Sequence, residues 1–453
     1  MGGGLMQLVA YGAQDVYLTG NPQITFWKVT YRRHTNFAME SIEQTFNGQA
    51  DFGRRVTCTI SRNGDLAYRT YLQVTLPEVG QSLNTSDNGN VYARWLDFPG
   101  EQLVSQVEVE IGGQRIDRQY GDWMHIWNQL TLSKEQESGY YKMVGHTTQL
   151  TYVTDPSFAS VSSACSGVDS GPSQVCAPRN ALPETTLYIP LQFWFCRNPG
   201  LALPLIALQY HEVKINLDLT PIDECLWAFD EMSGGSKVTG AYNLSLVAAS
   251  LYVDYVFLDT DERRRMAQNP HEYLIEQLQY TGDESVGSSS NKIKLNFNHP
   301  CKELVFVVQP DANVDYCDSL ADNSSLSAVY GAQPFNYTDA VDALPSSLAA
   351  FQDDPTFMTA SGFFSDATAS QLAGGGGAGV SDAGSFVLSE TALDMHCWGE
   401  NPVVTAKLQL NGQDRFSERE GTYFDLVQPY QFHTRSPDTG INVISFALRP
   451  EEH

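Results

Sequence analysis

The feature that most constrains this chain is a two-residue rhythm of apolar and polar side chains. Val107, Val109 and Ile111 alternate with Glu108 and Glu110, and Ile215, Leu217 and Leu219 alternate with Lys214, Asn216 and Asp218. The rhythm returns at Leu72–Leu76, Ile293–Phe297, Ala406–Leu410 and Ile444–Leu448. Each run has one greasy and one wet face, which is what a half-buried antiparallel strand requires. Helical spacing is scarce. Trp123, Ile126, Trp127 and Leu130 fall at i, i+3, i+4 and i+7 behind Asp122, read as an N-cap, and a second short helix is expected over Asp261–Gln268 before Pro270. Many short strands with few helices predict an all-β, sandwich-type protein.

An internal repeat sharpens this. Val107–Gln114 (VEVEIGGQ) matches Ala406–Gln413 (AKLQLNGQ) at an offset of 299, and Leu72–Pro77 (LQVTLP) matches Val305–Pro310 (VFVVQP) at an offset of 233. Two matches in the same order predict a duplicated domain, joined near Pro221–Gly240. The offsets differ by 66, so the second copy must carry extra sequence between its matches. From Glu303 to Ala406 there is no Lys or Arg but there are fourteen acids, and the middle holds GGGGAG at Gly374–Gly379. Such composition suits a long acidic loop, as the Ser, Pro and Gly of Asp155–Pro183 suit another.

The chemistry motifs are weak. Gly374, Gly376 and Gly379 spell G-x-G-x-x-G but lack the strand before and the helix after that a dinucleotide site needs. The nine histidines form no HExxH and no metal-ligand cluster, and no G-x-S-x-G elbow occurs. No catalytic, cofactor or metal site is therefore expected, and the chain is read as a non-enzyme. With acids outnumbering Lys plus Arg by 53 to 27, the net charge of −26 repels phosphate, which argues against direct nucleic-acid binding. No apolar run reaches the ~18–20 residues that span a bilayer. Eight cysteines without a C-x-x-C pair suit reduced thiols in a cytoplasmically folded protein, and the spacing of Cys165 and Cys176 does not decide whether they pair. Sequons at Asn84, Asn243, Asn323 and Asn336 are candidate glycosylation sites, with Asn323 and Asn336 favoured as acidic-loop residues. Arg263–Arg265, after Asp259, Asp261 and Glu262, are expected to form ion pairs on a helix.

Longer strings carry a resemblance. Leu8–Gly48 (LVAYGAQDVYLTGNPQITFWKVTYRRHTNFAMESIEQTFNG), Glu110–Asp117 (EIGGQRID), Asn198–Ile215, Pro270–Gly282 (PHEYLIEQLQYTG), Leu295–Leu304 and Leu410–Tyr430 resemble major capsid proteins of nucleocytoplasmic large DNA viruses of iridovirus, phycodnavirus and marseillevirus type. The resemblance implies two consecutive eight-stranded antiparallel jelly rolls with short helices and long loops. It divides the chain into an N-terminal arm over 1–24, a first jelly roll over 25–220, a linker over 221–240 and a second jelly roll over 241–453 with an acidic insertion at about 311–390. It also implies homotrimers that present six lobes as a pseudo-hexagonal capsomer of an icosahedral virion shell. Partners would be neighbouring capsomers and minor capsid proteins beneath the shell, with an internal viral membrane close but not spanned, after synthesis and assembly in the host cytoplasm. The N-terminal arm is expected at the inner base and the acidic stretch outside. The alternative reading is a double β-sandwich glycan-binding attachment protein. Finally, Gly113 to Thr220 spans 107 residues, whereas the matching Gly412 to His453 spans 41. The second sandwich is therefore expected to lack its last strands, and the native chain to continue past His453.

Overall fold

The computed structural model describes residues 34–79, 92–151, 182–229, 237–287, 289–314, 331–339 and 399–453. The first half closes as a sandwich of eight main strands. They are β1 (Phe37–Gln44), β2 (Arg55–Thr59), β3 (Leu66–Leu76), β4 (Val104–Ile111), β5 (Gln114–Tyr120), β6 (Thr185–Pro190), β7 (Val213–Leu219) and β8 (Ala248–Leu258). One sheet runs β1-β8-β3-β6 and the other β2-β7-β4-β5, and all the pairings are antiparallel. The chain thus alternates between sheets, which is the jelly-roll path. Inward residues at every second position meet in one core. Leu72, Val74, Leu187, Ile189 and Val253 from the first sheet face Cys58, Val107, Val109 and Ile215 from the second, all fully buried. Each such aliphatic side chain contributes roughly 1.5–3 kcal/mol on leaving water.

The expected strands at Leu72–Leu76, Val107–Ile111 and Ile215–Leu219 all lie in this sandwich. The expected join at 221–240 does not separate the halves. Ala248–Leu258, beyond it, pairs with both β1 and β3, so the first sandwich runs to Leu258. The apolar runs at 187–195 and 205–219 are longer than the strands they supply. β6 ends at Pro190 and Trp194–Arg197 is a helical turn, while 205–212 are turn and coil before β7.

Three helices matter below. α1 (Gly121–Thr131) follows the predicted spacing, but Tyr120 is its N-cap and Asp122 lies inside its first turn. α2 (Lys134–Val144) was not expected; it buries only Tyr140 and Val144, too few to mark a helical stripe. α3 (Thr260–Gln268) is capped by Asp259, which accepts from the Thr260 N–H at 2.7 Å; Arg264 with Asp261 at 4.0 Å and Arg265 with Glu262 at 3.5 Å form the expected pairs on the helix, whereas Arg263 reaches off it to Asp65 at 3.0 Å.

The second half is built of smaller pieces. β9 (Glu303–Phe306) pairs with β14 (Asn442–Ser445), β10 (Thr405–Ala406) with β13 (Arg419–Glu420), and β11 (Gln409–Leu410) with β12 (Gln413–Asp414). Among the described residues these three two-stranded ladders are its only sheets. The run expected as a strand at Ile293–Phe297 is coil, with Ile293 48% and Leu295 39% exposed.

The repeat is visible in the backbone. The β4–β5 turn has φ of 61° at Gly112 and 85° at Gly113, and the β11–β12 turn has 51° at Asn411 and 79° at Gly412. Two consecutive positive φ values are what a two-residue hairpin turn of matching twist demands. After each hairpin a helix begins at a glycine packed on backbone. A Cβ at Gly121 would strike the carbonyl oxygen of Val104, and one at Gly421 that of Val403.

Candidate functional site

The most elaborate polar chemistry among the described residues lies in the seam between the halves. Ile126 and Leu130 of α1 are buried with Tyr337, Ile441 and Val443 of the second half, and Val305 and Val307 close the cluster. A second cluster joins Phe98, Tyr140 and Val144 to Phe335. Both use the helical layer that the chain inserts between β5 and β6.

A polar network lies beneath. Glu101, fully buried, accepts from Tyr140 Oη at 2.5 Å and pairs with His125 Nδ1 at 2.7 Å. Asn128 Nδ2 reaches Tyr140 Oη at 2.7 Å, and the His125 ring stacks on Phe335 at 4.2 Å. Burial, then the Glu101 charge, raises the Tyr140 hydroxyl well above the ordinary tyrosine value, so it stays a donor. A carboxylate, an imidazole and a phenol together suggest acid–base chemistry, but Glu101 and His125 are at most 1% exposed. Substrate has no way to reach them, so the group is a satisfied polar network that fixes the layer.

Further ties cross the seam. Arg435 donates to Glu137 at 3.3 Å and to Tyr141 Oη at 3.1 Å, and the buried Arg94 donates to Thr151 O at 3.0 Å and Ala332 O at 3.3 Å. Residues 277–280 lie along β5: Gln277 Nε2 donates to Ile116 O, Leu278 N–H to Asp117 at 3.3 Å, and the Tyr280 ring sits 5.0 Å from Tyr120. Burial pushes Asp117 up to about 6 against the bonds from Leu278, Gln119 and Arg118. Arg197, stacked on Trp127 at 4.0 Å, pairs with Glu276 at 3.5 Å, and Glu276 pairs with Lys302 at 2.6 Å.

The segment before His453 is held by a three-element clasp. The His433 side chain is fully buried, with Nε2 2.9 Å from Glu303 and Nδ1 2.9 Å from Glu451. Thr434 N–H and Oγ1 also donate to Glu451, at 2.8 and 2.5 Å. Burial opposes a charged imidazole, but the two carboxylates outweigh it and hold His433 at about 9.

The sequons separate. Asn84 and Asn323 lie outside the described residues, as do Cys165, Cys176 and the GGGGAG run. Asn243 is exposed at the end of a short helical turn. Asn336, favoured from sequence, is only 8% exposed; its Nδ2 donates to Gln333 at 2.8 Å and its Oδ1 accepts from the Thr338 N–H and hydroxyl. A glycan nitrogen must face solvent, so this placement is wrong for modification. Among the described residues no three His, Cys, Asp or Glu gather as metal ligands, and no helix is long and apolar enough to cross a membrane.

Comparisons with known proteins agree on one kind of molecule. Residues 25–259 match the family described as major capsid protein N-terminus, and residues 262–453 match large eukaryotic DNA virus major capsid protein. The change of family falls at the end of β8, where the strand pairing ends the first sandwich. The chain is 76% identical to the major capsid protein of Phaeocystis pouchetii virus, covering 100% of this chain and 89% of that one. Of solved structures, the PBCV-1 virus capsid is 34% identical with a TM-score of 0.60, covering 94% of this chain and 81% of that one. The Faustovirus major capsid protein, at 12% identity and a TM-score of 0.55 over 99% of this chain and 89% of its own, is a likeness of fold alone.

Proposed function

The chain belongs to the major capsid protein family of large eukaryotic DNA viruses, and from that membership we propose that it works as a homotrimer whose six lobes form a pseudo-hexagonal capsomer. It is a structural component of the virion capsid and not an enzyme. The observation that best supports the trimer is the repeated hairpin-and-glycine unit, which gives one chain two related lobes held through a packed seam. Three such chains supply six lobes, the number needed to tile a hexagonal lattice with threefold symmetry. The expected mass is 3 × 50.1 = 150.3 kDa. Light scattering on the folded full chain checks this, and a monodisperse 50.1 kDa species at high concentration would contradict it.

The arm over 1–24 would face the shell's interior, near minor capsid proteins and the internal membrane, and the acidic insertion at about 311–390 would face outward from a base that Glu303–Phe306 and the buried Phe335 and Tyr337 hold in the fold. Like charges repel one another least when they project into water, which screens them. Protease on intact particles should cut the acidic stretch first; cuts confined to the arm would reverse the orientation. Synthesis and assembly in the host cytoplasm belong to the same proposal.

A further inference from the structure

The repeat extends to the first strand of each half. Ile42-Glu43-Gln44 in β1 recurs as Ile275-Glu276-Gln277, at the same offset of 233 that relates Leu72–Pro77 to Val305–Pro310. The later copy of this strand lies on β5 of the first half, through Gln277, Leu278 and Tyr280. At the offset of 299, β5 corresponds to residues 413–419, with Ile116 at Arg415 and Tyr120 at Arg419.

Among the described residues no segment lies on that second surface as 277–280 lies on β5. Arg415, Phe416, Arg419, Tyr423 and Ser445 line a cavity of about 100 Å³. The buried Arg415 Nε has no hydrogen-bond partner, and among the described residues neither guanidinium is within ion-pair distance of a carboxylate. Arg419 instead lies 4.1 Å over the Tyr423 ring. The cavity also faces away from the seam, because Ile441 and Val443 point into the seam while Ile444 lines the cavity.

The complementary surface is on the other half. On the outer face of the first sheet, β1 exposes Phe37 (67%), Met39 (49%) and Glu43, beside Tyr252 and Asp254 of β8. Neither strand contains Lys or Arg. Among the described residues β1 is an edge strand with β8 as its sole ladder partner, and it lies at the opposite end of its sheet from β6. A closed ring of identical subunits needs two unlike surfaces on each copy, and these two are unlike in both charge and shape.

We propose that a second copy of the chain covers this surface. The outer face of β1 in one copy docks on the Arg415–Arg419 surface of the next, with Glu43 and Asp254 answering the two arginines and Phe37 and Met39 covering the aromatic cavity. The proposal rests on the assembly reading above and names its interface.

The test is the self-association of the full chain by analytical ultracentrifugation, with circular dichroism and thermal unfolding confirming each variant's fold. Met39→Glu should weaken trimerisation about 100-fold, and Glu43→Arg or Arg419→Glu about tenfold each. Glu43→Arg combined with Arg419→Glu should return to within about threefold of the parent, since direct partners couple and distant sites add. A parent chain that never trimerises overturns the assembly reading itself. A parent that trimerises, with folded Met39→Glu and Arg419→Glu chains that do so equally well, overturns this interface alone. Charge reversals that weaken assembly without mutual rescue would also refute the pairing.

Discussion

The two halves share a hairpin, a helix-starting glycine and a strand rhythm, yet one closes into two sheets of four main strands each and the other forms three short ladders among the described residues. The difference follows from who pairs with whom. In the first half β1 pairs with β8 and β2 with β7, so the earliest strands depend on the latest ones. The β4–β5 hairpin needs only its own turn. In the second half the local hairpin β11–β12 forms, whereas 270–298, at the position of β1 and β2, has no ladder. Local pairing survives on turn chemistry; long-range pairing needs its distant partner in place.

The largest expected effect contrasts the two alternating runs. Leu72→Ala, in the closed core, should cost about 3–4 kcal/mol, by lost transfer energy plus a cavity. Ile293→Ala, at 48% exposure, should change stability by less than about 0.5 kcal/mol. Denaturant unfolding of the two variants measures this. Similar losses would show that 293–297 is as well buried as β3, and would erase the contrast.

A smaller effect separates the halves by pH. The folded value of His433, about 9, lies above its ordinary 6.5. Its contribution is therefore fully present below about 6.5 and is lost as pH rises through about 9, on the order of 3 kcal/mol at most. Hydrogen exchange, corrected for intrinsic rates, should show 428–453 opening more readily at pH 9.5 than at pH 7, while β7 changes little. His433→Gln should open that segment at pH 7 and flatten the pH response. Equal pH responses in the two segments would mean that the clasp does not hold the segment.

The sequence was most informative where the physics is local. Alternation located β4 and β7, and the Gly-Gln turns located both hairpins. Ala248–Leu258 carries the same alternation, but a strand's rhythm does not name its partner, and the join was misplaced before it. Ile293–Phe297 failed for the related reason that rhythm without a neighbour makes no ladder. The seam was hidden because Glu101, His125 and Asn128 look like surface residues until Tyr140, from the unanticipated α2, arrives to satisfy them. Asn336 misled similarly: a sequon reports three residues, not the Gln333 side chain that engages its amide. The capsid reading came from long strings of residues rather than from any site.

Electron microscopy of the purified, folded full chain tests the central claim most directly. The account predicts particles of three copies with six similar lobes in a pseudo-hexagonal outline, each first sandwich touching the second half of its neighbour. Particles that remain single two-lobed chains, or rings in which first sandwiches touch only one another, would contradict it.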